Sequence, residues 1–187
     1  PNWSPDGRQI AFRSIRDGPG YYIMSSIGGP PRKVPTSWPP FRYSTQPAWS
    51  PDGTELACLV EDTTGVIAEI VSLKNFSSRQ IPLPGEGTRF RFMISWPPDG
   101  KYLAYVVTDA PDVANSQIWM ARIADGSGFR VTEGKSRDLN PFWSRDGKFL
   151  YFISDREGGL DLWRLRIGKD GVPEDKARRV TTGLEIR

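Results

Sequence analysis

A five-residue motif recurs four times in this 187-residue chain. The tryptophans that begin the copies are separated by 46, 47 and 47 residues. A period of about 40–50 residues is typical of repeats that bury surface only against their neighbours. The chain is therefore predicted to be a repeat array, with the copies Trp3-Ser4-Pro5-Asp6-Gly7, Trp49-Ser50-Pro51-Asp52-Gly53, Trp96-Pro97-Pro98-Asp99-Gly100 and Trp143-Ser144-Arg145-Asp146-Gly147.

The residue types of the motif suit a tight turn beside a packed interface. Proline presets φ, aspartate hydrogen-bonds the backbone that it turns, and glycine accepts a positive φ. Tryptophan is large enough to fill the space between neighbouring repeats. We therefore expect the four motif tryptophans to be mostly buried between repeats.

Short apolar segments separated by turn residues fill each repeat. No segment shows a sustained helical period, and the regular apolar runs exclude disorder. The sequence predicts an all-β fold, a β-propeller of four four-stranded antiparallel blades that is a fragment or one half of a larger ring. After a short first strand, the expected strands are 9–14, 21–25 and 32–34, then 55–60, 66–73 and 79–83, then 102–107, 117–124 and 129–132, then 148–154, 160–167 and 177–181.

We expect a single domain of repeats over residues 1–187, with blades at about 1–46, 47–93, 94–140 and 141–187. The loop at 108–116 is the longest between second and third strands, and such a loop can carry a specific contact. In the fourth repeat, two sets of residues alternate with period two. We expect both sets to be packed by neighbouring blades, one being Leu160, Leu162 and Arg164 and the other Asp161, Trp163 and Leu165.

Composition removes several function classes. The chain has no histidine, so its residues cannot form a Ser-His-Asp triad or a histidine metal site. Its one cysteine, Cys58, cannot form an internal disulfide and lies in an apolar strand, where a core residue is expected rather than a nucleophile. No apolar run approaches the length of about 18 residues that suggests a membrane span. The net charge of +3 is spread among acidic residues, so no nucleic-acid binding is expected.

Two acidic groups could offer oxygen ligands to calcium. One comprises Asp155, Glu157 and Asp161, and the other Glu61 and Asp62. Neither has the ordered alternation with glycine of a dedicated calcium loop, and the alternative is that they are turn residues facing water. We therefore expect no cofactor and no metal.

The order of motifs within a repeat resembles the TolB-type, WD40-like propeller repeat family. The shared pattern is Pro-x-Trp-Ser-Pro-Asp-Gly, Ile-Ala-Phe-x-Ser, Arg-Asp-Gly, a Tyr-Ile-Met or Ile-Trp-Met strand, Gly-Gly and Arg-x-Val-Thr. The second repeat lacks the Arg-Asp-Gly turn, and the third has Ile94 and Pro97 where the motif has proline and serine. The resemblance implies a bacterial, periplasmic or otherwise extracytoplasmic protein whose propeller binds other proteins of the cell envelope.

Two functions follow from this resemblance. The first is a non-catalytic protein-binding module of a larger TolB-like protein. The alternative is a regulatory or gating propeller of a multidomain enzyme, such as a prolyl-oligopeptidase-like peptidase or a sensor kinase. Sequence outside these 187 residues would decide between them.

Residues just before each tryptophan motif are expected at the mouth of the propeller channel, where a partner would bind. Simple solvation of these side chains is the alternative. Four blades are also fewer than the about six to eight over which such repeats usually close. We expect a head-to-tail homodimer that forms an eight-bladed ring, with a strained four-bladed ring or an open arc as alternatives. The expected partner-binding residues are Tyr43, Thr45, Gln46, Arg89, Arg91, Arg137, Asp138 and Asn140.

Overall fold

A computed structural model of the chain describes residues 1–16, 18–40, 46–63, 65–85, 90–108, 115–133 and 135–182. Over these ranges it contains sixteen β-strands and no α-helix. The strands form four sheets of four antiparallel strands, and the strands of each sheet follow chain order. The all-β fold of four four-stranded blades is confirmed. The chain separates into two compact units, residues 1–83 and 84–187, and each contains two blades.

Unit 1 contains the first two blades. In both, the first strand has only two residues, because its pairing with the second strand covers two positions. The blade-one strands are β1 (Asn2–Trp3), β2 (Gln9–Ser14), β3 (Gly20–Ser25) and β4 (Arg32–Val34). The blade-two strands are β5 (Ala48–Trp49), β6 (Glu55–Glu61), β7 (Val66–Ser72) and β8 (Ser78–Ile81).

Unit 2 contains blades three and four, whose first strands are longer, with six residues each. The blade-three strands are β9 (Phe90–Ser95), β10 (Tyr102–Thr108), β11 (Ser116–Arg122) and β12 (Gly128–Arg130). The blade-four strands are β13 (Asp138–Trp143), β14 (Phe149–Glu157), β15 (Gly159–Arg166) and β16 (Arg178–Arg179). Each of the twelve strands expected in full overlaps one of these. The assignment of 1–187 as one domain with four blade boundaries stays a prediction.

A bulge bends the first strand of each blade in unit 2. The register of β9 against β10 shifts between Ala104 and Val106, and that of β13 against β14 shifts between Leu139 and Phe142. Met93 and Asn140, each three residues before a motif tryptophan, have φ of 54° and 52°. Positive φ is uncommon for residues with a side chain and accompanies the bends in these two strands.

The motif turn is a small hydrogen-bond network. In blade two, the Ser50 hydroxyl donates to Asp52 Oδ1 at 2.6 Å and accepts from the Glu55 amide at 2.9 Å. Asp52 Oδ1 also accepts from the Thr54 amide at 3.0 Å, and Gly53 has a φ of 71°, which glycine adopts without steric cost. The same serine–aspartate bond forms at Ser4 and Asp6 and at Ser144 and Asp146.

These hydrogen bonds stabilise the ionised aspartates. The serine hydroxyl is the largest cause that lowers the pKa of Asp6, Asp52 and Asp146, and a backbone amide adds to it. In blade three the serine position is Pro97, which has no hydroxyl to donate. That turn keeps only the aspartate–amide bond, from the Lys101 amide to Asp99 Oδ1 at 3.0 Å.

The motif tryptophans differ in burial. Trp49 is 7% exposed, and its indole Nε1 donates to the Asn2 carbonyl of blade one at 3.0 Å. Trp96 and Trp143 are partly buried. Trp3 is 60% exposed, so the expectation of burial is wrong for this residue. Trp49 has a neighbouring blade against its ring, whereas Trp3 belongs to the first blade of unit 1.

Each unit has its own core between its two blades. Ile23 and Tyr21 of blade one pack with Leu56 and Val71 of blade two, and the Tyr21 hydroxyl donates to the Leu59 carbonyl at 2.7 Å. In unit 2, Met120 and Val106 of blade three pack with Phe152 and Trp163 of blade four. Burial of such side chains is worth about 25 cal/mol per Å² of apolar surface and supplies most of the stability of each pair.

Strand β15 is packed on one face only, so the expectation of packing on both faces is wrong. Asp161, Trp163 and Leu165 are buried, whereas Leu160 and Leu162 are partly exposed and Arg164 is exposed. On the same face as Arg164, Phe142 is 47% exposed and stacks on Tyr151 with ring centroids 5.3 Å apart. No blade of the described chain covers this face. None of the described helices or strands provides an apolar helix long enough to cross a membrane.

Candidate partner-binding surface

Polar side chains of unit 2 gather where the chain enters β13 and where β14 ends. They surround an open depression of about 600 Å³. The approach to β13 and the end of β14 meet because Asp138 pairs with Ser154 in the antiparallel ladder. We call this set the β13 surface, which comprises the lining residues Glu133, Lys135, Ser136, Asp155 and Arg156 together with Arg137.

A partly buried ion pair lies beneath the β13 surface. The carboxylate of Asp138 is fully buried, and the Arg156 side chain is 22% exposed. Arg156 Nη2 donates to both carboxylate oxygens, at 2.9 and 3.0 Å, and the Ser136 hydroxyl donates to Oδ1 at 3.2 Å. A buried carboxylate needs such partners, because removing its charge from water costs several kcal/mol. Asp138 therefore orients Arg156 and lies beneath the surface itself.

Aromatic rings and a hydroxyl also hold Arg156 in place. Its guanidinium carbon lies 5.0 Å from the ring centroids of both Phe152 and Trp163. Arg156 Nε donates to the Ser154 hydroxyl at 3.0 Å. A cation over an aromatic ring gains about 0.5–2 kcal/mol. The guanidinium is thus fixed at the edge of the depression, with its exposed part available to a partner.

Arg137 and Asp155 form a second, more exposed pair. The Arg137 amide donates to Asp155 Oδ1 at 2.8 Å, and its Nε lies 3.7 Å from Oδ2. Both side chains are one-third exposed. Because this pair is wet and loosely spaced, a partner with opposite charges can exchange with it at low cost.

Two other expected residues hold backbone positions. Asn140 is exposed at the β13 bulge, and its amide donates to the Met93 sulfur at 3.3 Å. In unit 1, the side chain of Gln46 accepts from the Arg13 amide at 2.9 Å, on a part of β2 that the short β1 does not reach. Tyr43, Thr45, Arg89 and loop residues 109–114 lie outside the described residues. Arg91 pairs with Val107 through the backbone, and its side chain is outside the description.

The carboxylates considered for calcium have arginine partners instead. Asp155 pairs with Arg137, and Asp161 and Glu157 both pair with Arg179. In the other group, the Asp62 carboxylate accepts from the Gly65 amide at 3.0 Å. Within the described ranges, no group of three or more acidic or cysteine side chains is arranged to hold a metal ion.

Sequence reasoning did not identify Arg156, although a signal was present. Arg156 follows Ser154 by two residues, as Arg16 follows Ser14 in the best-preserved first repeat. In both blades the arginine amide donates to that serine hydroxyl, at 3.3 and 3.1 Å. The shared turn was visible in the sequence, but its contact with Asp138 depends on the pairing of β13 with β14.

The chemistry of the β13 surface is that of ion pairing and hydrogen bonding. It presents guanidinium, ammonium and carboxylate groups, without a cysteine. Cys58 of unit 1 is fully buried, and burial raises the pKa of its thiol well above the usual value, with the Glu69 charge adding to this effect. A buried protonated thiol is a poor nucleophile, which agrees with its prediction as a core residue.

Repeated four-stranded blades that share a Trp-x-x-Asp-Gly turn define a protein built of β-propeller repeats. The sequence profile of the TolB beta propeller domain matches residues 46–185, three-quarters of the chain. The chain belongs to this family.

Bacterial relatives extend this result. An uncharacterized protein of Agrobacterium fabrum is 30% identical over 92% of this chain and 56% of its own length. The uncharacterized peptidase YuxL of Bacillus subtilis is 32% identical over 83% of this chain and 21% of its own length. The solved structure of a candidate TolB from Agrobacterium tumefaciens matches with a TM-score of 0.71 and 29% identity, over 98% of this chain and 61% of that one. The chain thus spans little more than half, or less, of the proteins that it matches.

Proposed function

We propose that this chain is a non-catalytic module that binds a partner protein of the bacterial cell envelope, on the periplasmic side. The observation that carries the proposal is the match of residues 46–185 to the TolB beta propeller domain. The similarity to a candidate TolB structure at 29% identity supports it. The partner would dock on the β13 surface, where Arg156 is held in position before binding.

The side-chain inventory supports a binding role over catalysis. Without histidine, the residues of this chain cannot assemble a Ser-His-Asp triad. The groups that line the depression are ion-pairing groups on rigid strands and their ends. Such groups fix orientation and specificity in a protein interface.

A second function is favoured by one observation, the 32% identity with the uncharacterized peptidase YuxL. The match covers 21% of that protein, so a chain of this kind can be the propeller of a multidomain enzyme. In that case the propeller would gate or regulate a peptidase domain, or another enzymatic domain such as a sensor kinase. The sequence that flanks these residues in the parent protein distinguishes the two functions directly.

Photo-crosslinking tests the binding role. A photoreactive amino acid replaces the exposed Asn140, and the control replaces the exposed Lys74 of unit 1. The chain is then illuminated in an extract of bacterial cell envelopes. We expect a specific adduct from position 140 and none from position 74.

The affinity of the captured protein is then measured with charge-reversal variants. We expect Arg137→Glu to weaken binding about ten-fold, because an exposed interfacial charge is replaced by its opposite. Reversal at Arg91, the equivalent position before the third motif, tests the expected channel-mouth placement in the same way. Unchanged affinity in both variants would reject the placement, and release of peptide fragments by the chain alone would reject the non-catalytic role.

The assembly of two copies head to tail into an eight-bladed ring also stays a prediction. It is motivated by the exposed face of blade four, where Phe142 and Val180 are 47% and 46% exposed. An apolar surface of this kind is normally covered by a partner or a neighbouring repeat.

A further inference from the structure

A second depression lies on the outer strands of blade four, away from the β13 surface. It has a volume of about 170 Å³. Four of its six lining residues are cationic, and we call these four with Phe149 the basic face. The lining residues are Phe149, Arg164, Arg166, Asp175, Lys176 and Arg178.

The basic face departs from the repeat at one register position. In the first three blades, the third-strand residue opposite an alanine of the second strand is a buried apolar side chain. The residues are Ile23, Ile70 and Met120, which are 2%, 0% and 0% exposed. Blade four has Arg164 there, opposite Tyr151, and Arg164 is exposed. Apolar blade packing cannot account for a guanidinium at this position.

Like charges also face each other across the strands. Arg164 is directly opposite Arg178 in the ladder between β15 and β16, an arrangement that destabilises a sheet. Arg166 has a partner, since its Nε lies 2.7 Å from Glu174 Oε2. Within the described part of the chain, no carboxylate forms an ion pair with Arg164, Lys176 or Arg178. Arg164 instead lies over the Phe149 ring, with its guanidinium carbon 5.1 Å from the centroid.

Protection of a sheet edge does not explain the whole cluster. Charged residues on outermost strands discourage pairing with other chains, and this reason is sufficient for Arg178 on β16. It does not apply to Arg164, because β15 is paired on one side with β14 and on the other with β16.

We propose that the basic face binds an acidic, extended segment of a partner protein. Guanidinium groups bind carboxylates in a two-pronged geometry, and two adjacent arginines can hold two acidic side chains of one strand. The Phe149 ring keeps Arg164 in position for this contact. The interspersed carboxylates of Glu174 and Asp175 would repel a continuous polyanion, which favours a peptide with spaced acidic residues over a nucleic acid.

This site is separate from the β13 surface and does not depend on the partner proposed there. Fluorescence anisotropy measures the binding of a labelled peptide of alternating glutamate and threonine to the whole chain. The test variant is Arg164→Gln with Arg178→Gln. The matched control is Arg8→Gln with Arg145→Gln, which removes the same charge from two exposed positions elsewhere.

We expect the test variant to bind the peptide about ten-fold more weakly, because each exposed charge pair contributes a few-fold. The control should bind as the unchanged chain does. All four side chains are exposed, so both variants should fold, and thermal unfolding checks this. The single variant Arg178→Gln repeats the test if the double variant unfolds early.

Three results would overturn the proposal. The first is equal weakening of binding by the test and control variants, which would indicate a general charge effect. The second is tighter binding of single-stranded DNA or inorganic phosphate than of the peptide. The third is a dimer that the test variant alone dissociates and with which the peptide does not compete, since the basic face would then contact a second copy.

Discussion

Arg156 Nη2 donates to both oxygens of the Asp138 carboxylate, at 2.9 and 3.0 Å, across the β13–β14 ladder. Asp138 is fully buried, whereas Arg156 keeps 22% of its side chain exposed. The pair therefore links the interior of blade four to the β13 surface. Its contribution to stability and its effect on binding can be measured separately.

Replacing Asp138 with asparagine should lower the free energy of unfolding by about 1–3 kcal/mol, because Arg156 loses its charged partner in a partly dry site. Chemical denaturation of Asp138→Asn, Arg156→Gln and the double variant forms a double-mutant cycle. A coupling energy near zero would mean that the two groups act independently. Lys148→Ala is the matched control, because Lys148 pairs with Asp146 at the surface and should contribute less than about 1 kcal/mol.

The motif tryptophans should differ in their contributions to stability. Trp49→Ala should cost about 3–5 kcal/mol, because it empties a buried position between two blades and removes the bond to the Asn2 carbonyl. Trp3→Ala changes the same motif position where the ring is 60% exposed, and should cost less than about 1 kcal/mol. Thermal or urea unfolding compares them. Equal losses would show that Trp3 is covered in solution.

The turn aspartates should make folding stability depend on pH. The pKa of Asp52 is lowered in the folded chain, first by the Ser50 hydroxyl. A depressed folded-state pKa adds stability above the unfolded value of about 3.9, and this stability is lost as pH falls through the folded pKa. Ser50→Ala should raise the pKa of Asp52 toward the ordinary value and reduce this dependence on pH.

Carboxyl titration by NMR measures this effect. The pKa values of Asp6 and Asp146 should not change in Ser50→Ala, because each has its own serine donor. An unchanged pKa at Asp52 would assign its shift to the backbone amide of Thr54 instead.

Light scattering tests the predicted eight-bladed homodimer. The whole chain should have the mass of a dimer at tens of micromolar protein, and deletion of residues 182–187 should yield a monomer, because the tail would complete the first strand of the other copy. Sedimentation of Phe142→Ser, which makes the exposed blade-four face more polar, provides an independent variant. A monomeric mass for the intact chain at that concentration would reject the ring.

The sequence by itself determined the repeat, the strands and the turns. Trp-x-x-Asp-Gly turns form from residues that are adjacent in the chain, so the serine–aspartate bonds and the positive φ of Gly53 follow from local preferences. Strand positions follow from apolar runs between these turns, and segments such as β2 and β4 were predicted to the residue. The family was recognisable for the same reason, because its motifs are local.

Tertiary structure alone decided burial and ion pairing. Trp3 and Trp49 have the same local sequence, yet only Trp49 has a neighbouring blade against its ring. Arg156 reaches Asp138, and Arg164 faces Arg178, because antiparallel pairing brings together residues that are 18 and 14 positions apart. Energies of burial and charge depend on such neighbours, which local sequence does not specify, and for this reason both candidate binding surfaces emerged only from the folded chain.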